Sequence, residues 1–332
     1  MRSVARRREE QHEEVLRNMQ GVPYAVPASA ESGREFVPAA NPDGVHNGLR
    51  GPHTTLLDKV SFAYDTGLEV FRDLDAGFSD GEIVSVVGPS GSGKSTLLNL
   101  IAGLVAPTAG NITRPPATGD SRHPMAMVFQ TDTLLRWLTV RENVALYSRF
   151  SSHNTPNSSM IGRGLRRLPG VRFARTEIDE RVDELLDLVG MADAADAYPY
   201  QLSGGMRRRV AFITAVAARP RVLLLDEPFS AVDEPTRIAI HQDVYRVIRL
   251  LKMTTVLVTH DLAEAITLSD RILVFGPRTV GLVGEELIEL GAERDMLELR
   301  SGDDYLKIYS RLWSRLSKQI RRGDQQRTGG DA

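Results

Sequence analysis

The run Gly88-Pro89-Ser90-Gly91-Ser92-Gly93-Lys94-Ser95 has the spacing G-x-x-x-x-G-K-[ST]. Glycines at these positions let backbone N–H groups turn inward and wrap a phosphate chain. A helix starting at the end of the run adds partial positive charge. Lys94 is then placed to reach β- and γ-phosphates, and the Ser95 hydroxyl to hold Mg²⁺. The nucleotide-contacting set is read as Gly88, Pro89, Ser90, Gly91, Ser92, Gly93, Lys94, Ser95 and Thr96. A second constellation closes the apolar run Val222-Leu223-Leu224-Leu225, where Asp226 and Glu227 follow and Pro228 ends it. A buried strand would deliver Asp226 to the carboxyl edge of a sheet, where ligands collect, as a water-mediated Mg²⁺ ligand. Glu227, next along, would polarise a water attacking the γ-phosphate, which favours hydrolysis over binding alone.

Elements able to hold these groups can be read around them. Glu82–Val87 is a short apolar run ahead of the glycines, and Ser95–Leu104 after them has helical spacing through Leu97, Leu98, Ile101 and Leu104. Leu56–Tyr64 and Glu69–Phe78 alternate like half-buried strands. Arg221–Leu225 and Thr255–Thr259 read as buried strands. A helix is expected from about Glu177, with Ile178, Val182, Leu185, Leu186 and Val189 on one face and Gly190 as its stop. Strands alternating with helices predict an α/β fold with a mainly parallel sheet covered on both sides.

At 332 residues and 42% hydrophobic content, the chain suits one large domain or two smaller ones. Lys and Arg total 41 against 43 Asp and Glu, so the basic excess of a nucleic-acid-coating domain is lacking and no nucleic-acid partner is expected. There is no cysteine, which excludes a disulfide scaffold, a thiolate zinc site and a catalytic thiol. No apolar run approaches the about 20 residues of a membrane span. The basic start Met1–Arg8 is followed by Glu9, Glu10, Glu13 and Glu14 where a signal peptide would be apolar, so the chain reads as not exported. Residues 1–52, rich in Pro, Gly, Ala and charge, read as a disordered extension. Residues 148–175, with six arginines and no acid, read as a flexible basic insertion, and 291–332 as a helical tail, apolar at Leu306, Ile308, Leu312, Trp313 and Leu316.

Between the two constellations stands Leu202-Ser203-Gly204-Gly205-Met206, followed by Arg207-Arg208-Arg209-Val210-Ala211. In that position it closely resembles the signature of ABC ATPases. The resemblance covers roughly residues 54–275 and implies a P-loop NTPase fold, with an ABC-type nucleotide-binding domain over 53–290. A small antiparallel β subdomain and a helical subdomain over about 130–220 go with it. It implies ATP and Mg²⁺ as ligands. Tyr64 resembles the aromatic that stacks on adenine, and Gln130 the glutamine that senses Mg²⁺ and lytic water. Ser230-Ala231-Val232-Asp233 resembles the D-loop, and His260 the histidine that contacts the γ-phosphate. The implied site residues are thus Glu227, His260, Gln130 and Lys94 for catalysis, Ser95, Gln130 and Asp226 for the metal, and Ser203, Gly204, Gly205 and Asp233 for the nucleotide of a second subunit. Two such domains, a homodimer by expectation, would meet head to tail, with ATP between the phosphate loop of one and the signature of the other.

The segment Leu134-Leu135-Arg136-Trp137-Leu138 looks like that of the nitrate/sulfonate/taurine importer group, where this region receives a helix of the membrane subunit. An apolar cluster there would be costly in water. The resemblance implies permease subunits and a solute-binding protein as partners, a peripheral place on the cytoplasmic face of the cell membrane, and import of a small anion such as a sulfonate, taurine or nitrate. The alternatives are an exporter subunit or a non-transport ABC ATPase. Arg136, Arg208, Thr214, Val232 and the 148–175 insertion depart from the group's usual pattern.

Overall fold

The computed structural model describes residues 53–116, 124–131, 133–151, 175–230 and 232–328. The expectations for 1–52 lie outside this range, as do those for 152–174 of the basic insertion.

β1 (His53–Ala63) and β2 (Glu69–Ser79) form an antiparallel hairpin, closed by Gly67 at φ 77°. The expected alternation is broken by register shifts, with Lys59 and Asp73 at positive φ. β1 pairs on its other side with β4 (Ala109–Thr113), giving a three-stranded antiparallel sheet in the order β2-β1-β4. The main sheet has six strands. β3 (Ile83–Val87), β6 (Val222–Asp226) and β7 (Thr254–Val258) are apolar runs with no alternation, as buried parallel strands require. With β5 (Met125–Val128), β8 (Arg271–Phe275) and β9 (Leu282–Leu287) the order is β5-β6-β7-β3-β8-β9. All neighbours run parallel except β9, which pairs antiparallel with β8 at the edge. Because β6, β7 and β3 are adjacent, the loops leaving their carboxyl ends emerge side by side.

α1 (Lys94–Ala102) follows β3 and buries Leu97, Leu98, Leu100 and Ile101 completely. It stops at Gly103, whose φ of 75° lets its N–H reach the Asn99 and Leu100 carbonyls. Each such aliphatic side chain contributes about 2 kcal/mol by leaving water. α2 (Val140–Ser151), α3 (Arg175–Leu188) and α4 (Gly204–Ala217) pack on one another as a helical layer. In α3 the expected face is buried at Val182, Leu185 and Leu186, and Gly190 turns the chain at φ 65°. α5 (Glu234–Leu250) packs beside α4, and the short α6 (Leu262–Leu268) packs on α5 and on β3.

α7 (Asp303–Thr328) is the expected terminal helix, but its inward face differs from the sequence reading. Tyr305, Ile308, Leu312 and Leu316 pack against α6, whereas Leu306 and Trp313 are each 52% exposed. Apolar residues lie on two adjacent stripes, and only contact with α6 selects one. Arg294 completes this region. Its guanidinium donates to the Thr267 and Ser269 carbonyls, both at 2.9 Å, closing the C-terminus of α6, and burial pulls its pKa down. Among the described residues no helix is long and apolar enough to cross a membrane.

Candidate functional site

The loop from β3 to α1 is shaped by its glycines. Gly93 has φ 94°, and a Cβ there would lie 2.5 Å from Val70 Cγ1 and 2.8 Å from Phe71 Cζ. A Cβ at Gly88 would meet the Phe275 carbonyl oxygen at 2.9 Å. The loop is therefore pressed against β2 and β8, with its outer side left to the ligand. Lys94 folds back so that Nζ donates to the carbonyls of Gly88 at 3.0 Å and Pro89 at 2.9 Å. Burial lowers its pKa, and the charges of Glu227 and Asp226 work against that shift. Ser92 Oγ is buried within the loop and makes no hydrogen bond. A cradle too tight for a Cβ, a buried cation and an orphaned hydroxyl fit a polyphosphate. Tyr64, 42% exposed, donates or accepts through its hydroxyl at 2.9 Å from Thr96 Oγ1 and meets Phe62 edge-on. That bond ties the candidate adenine-stacking ring to the first turn of α1.

The acidic end of β6 meets this loop. Ser95 Oγ donates to Asp226 Oδ1 at 3.0 Å, so two hard oxygen donors lie together. Mg²⁺ takes few protein ligands beside nucleotide phosphates, and this pair fits it. Burial is the largest influence on the Asp226 carboxyl and pushes its pKa up, opposed by the Ser95 hydrogen bond. A raised folded pKa means that the ionised group costs the nucleotide-free fold stability above that pKa. The cost disappears below the unfolded pKa, where both states hold the neutral acid. Asp226→Asn keeps an oxygen for Ser95 and removes the charge. In EDTA and without nucleotide, the variant should melt higher than the parent at neutral pH. The gap should close as pH falls through the folded pKa, and calorimetry showing the variant less stable at neutral pH would contradict this account.

Glu227 is held in an uncommon backbone state, φ 44°, which a non-glycine residue keeps only when its surroundings impose it. Its N–H donates to the Val258 carbonyl at 2.9 Å, pinning the turn to β7. Its carboxylate Oε2 accepts from Gln130 Nε2 at 3.3 Å and lies 3.2 Å from His260 Nδ1. Three strand-end loops, after β5, β6 and β7, thus converge on one carboxylate. Flanked by an amide and an imidazole beside Lys94 and Ser95, it can orient a water and take its proton.

A second cluster forms around the signature. Ser203 caps α4, its Oγ accepting the Met206 N–H at 3.2 Å. A Cβ at Gly205 would sit 2.6 Å from Thr236 Cγ2, so α4 and α5 approach too closely for a side chain. Nothing lies within 4 Å of a Cβ built at Gly204. Asp233 caps α5 by accepting from Thr236 N at 3.2 Å, and its bonds to Thr236 hold its pKa low. The amides opening α4 suit an anion.

The segment after Gln130 corrects the expectation of an exposed apolar cluster. Leu134 is buried and Leu135 and Leu138 are half-buried, while Trp137 is 71% exposed. The loop wraps Asn143, which sequence reasoning missed. The buried side chain accepts from Leu135 N at 2.8 Å and donates to the carbonyls of Leu135, Leu138 and Thr139. A lone asparagine eight residues downstream carries no motif; only its bonds reveal that it shapes the loop presenting Trp137.

Residues 71–230 match the family model described as ABC transporter. The nitrate import ATP-binding protein NrtC of Synechococcus elongatus is 38% identical over 252 residues, 75% of this chain. This chain spans only 36% of that protein. The taurine import ATP-binding protein TauB of Roseobacter denitrificans is 35% identical over 72% of this chain and 83% of its own length. The dimeric ATP-binding cassette MJ0796, solved in a post-hydrolysis state with ADP and Pi, superposes with a TM-score of 0.57 at 30% identity. The match covers 71% of this chain and 99% of that one. The site geometry and these likenesses agree: the chain belongs to the ABC transporter family, with its P-loop ATP-binding fold.

Proposed function

We propose that this chain is the ATP-hydrolysing subunit of an importer for a small anion such as nitrate, taurine or another sulfonate. The observation that carries hydrolysis is the convergence of Gln130 and His260 on Glu227 Oε2, beside Lys94 and Ser95. In this reading the loop Gly88–Thr96 cradles the phosphates and Tyr64 covers the adenine. Lys94 leaves its carbonyl partners for the β- and γ-phosphates. Mg²⁺, when bound between Ser95, Asp226 and Gln130, neutralises phosphate charge. Glu227 takes the proton of the attacking water while Gln130 orients that water and His260 faces the γ-phosphate. Ser203, Gly204, Gly205 and Asp233 serve the nucleotide of a second, identical subunit, so that closure of the pair completes each site.

The import reading is supported by the relatives' names and by Trp137, a large aromatic left in water beside the Gln130 loop. Transmembrane permease subunits would cover it at the cytoplasmic face of the membrane, and a solute-binding protein would deliver the anion. Capture of the tagged full chain from detergent-solubilised membranes should recover a polytopic membrane protein. Trp137→Ala should lose that recovery while keeping the ATPase rate of the isolated chain. Recovery of ribosomes or DNA alone would overturn the transport reading.

A further inference from the structure

His241 lies two turns into α5 with none of its surface exposed. Its ring sits between the two loops that carry Glu227 and His260. On one side it meets Phe229 edge-on, centroids 5.2 Å apart, two residues beyond Glu227. On the other its Nε2 is 3.3 Å from Oε1 of Glu264, itself buried on α6. The second oxygen of Glu264 accepts the hydroxyl of Thr259, the residue before His260. Thr259 Oγ1 in turn accepts the Asp261 N–H at 3.0 Å. Neither ring nitrogen of His241 makes a regular hydrogen bond, and neither does Glu264 Oε1, so the two buried groups meet with imperfect geometry. One turn earlier, Arg237 reaches Asp261 Oδ2 at 3.5 Å, a second tie between α5 and the His260 turn.

A buried, poorly matched imidazole costs free energy that an aliphatic residue of similar volume would not. It stands where it touches both loops. We propose that His241, with Glu264, is a positioning residue for hydrolysis: it fixes the spacing of Glu227 and His260 without touching nucleotide. This inference rests on the assignment of those two groups to the hydrolytic step. Asp233 caps α5, so the brace also joins the signature side of the chain to its own catalytic loops.

The test compares His241→Leu with His241→Gln in the full chain. Leucine fills the volume and makes no polar contact; glutamine presents an N–H donor towards Glu264. His241→Leu should lower kcat by about ten- to a hundredfold, the scale of an ångström misplacement at a reacting centre. KM for ATP and the melting temperature should stay near parental values, and His241→Gln should recover most of the rate. With His260→Ala already present, the leucine substitution should cost little more, because both act through one contact. A parental kcat in His241→Leu, equal losses in both variants, or full additivity with His260→Ala would overturn the proposal. A parental rate in His260→Ala would fail the assignment of His260 instead, and the leucine–glutamine comparison would still judge the brace.

Discussion

Replacing Glu227 by glutamine is expected to lower ATP turnover by roughly two to four orders of magnitude, the range for loss of a general base. Binding should survive. The amide is nearly isosteric, the backbone at φ 44° stays pinned by the Val258 carbonyl, and Lys94, Ser95 and the glycine loop are untouched. What is lost is the proton acceptor between Gln130 and His260. At about 1.4 kcal/mol per factor of ten, this corresponds to about 3–5 kcal/mol of transition-state stabilisation. ATP should then hold two copies together without release. Single-turnover hydrolysis and size-exclusion chromatography with ATP measure the two effects. Near-parental turnover would remove Glu227 from the hydrolytic role.

Replacing Lys94 by alanine is expected to weaken ATP binding on the order of a hundredfold, from loss of charge-assisted contacts to two phosphates at about 1.5 kcal/mol each. The fold should not suffer in proportion. Burial already lowers the Lys94 pKa, so its charge is not a net support of the nucleotide-free chain. Its ammonium donates to the Gly88 and Pro89 carbonyls, bonds that in the proposed role it would exchange for phosphate oxygens. Titration with a fluorescent ATP analogue, beside a melting curve, separates these outcomes. A dissociation constant within threefold of the parent would show that the backbone amides alone carry the phosphates. Unfolding of the variant would show that Lys94 is structural.

The two substitutions divide the site as the chain does. Lys94 acts within an eight-residue loop, and Glu227 acts only because distant segments meet it. The loop was legible because its glycine spacing between an apolar run and a helical pattern fits a phosphate-wrapping turn. The fold adds a second reason for Gly93, an approach of 2.5 Å to Val70 that leaves no room for a side chain. Asp226 and Glu227 were legible because an unbroken apolar run is recognisable as a buried strand whose end faces a ligand edge. Gln130, Tyr64 and His260 were reached only through family resemblance, since a single residue after a strand has no spacing of its own to read. Asn143 and His241 were not reached at all. Both are buried polar groups whose partners lie in other elements.

The sequence alone thus made legible the phosphate-loop spacing, the acidic strand end and the α/β alternation, which rest on motif spacing and on 2.0- and 3.6-residue periods, while the signature was reached through family resemblance. Tertiary structure decided the rest. The sheet order β5-β6-β7-β3 brings the loops of Gln130, Glu227, His260 and Lys94 to one edge, although Gln130 and Glu227 are 97 positions apart. Packing against α6 decided that α7 turns Tyr305 and Leu312 inward and leaves Trp313 in water. In each case the choice depends on which distant surface a residue meets, and burial energy is fixed by that surface rather than by the residues on either side in the chain.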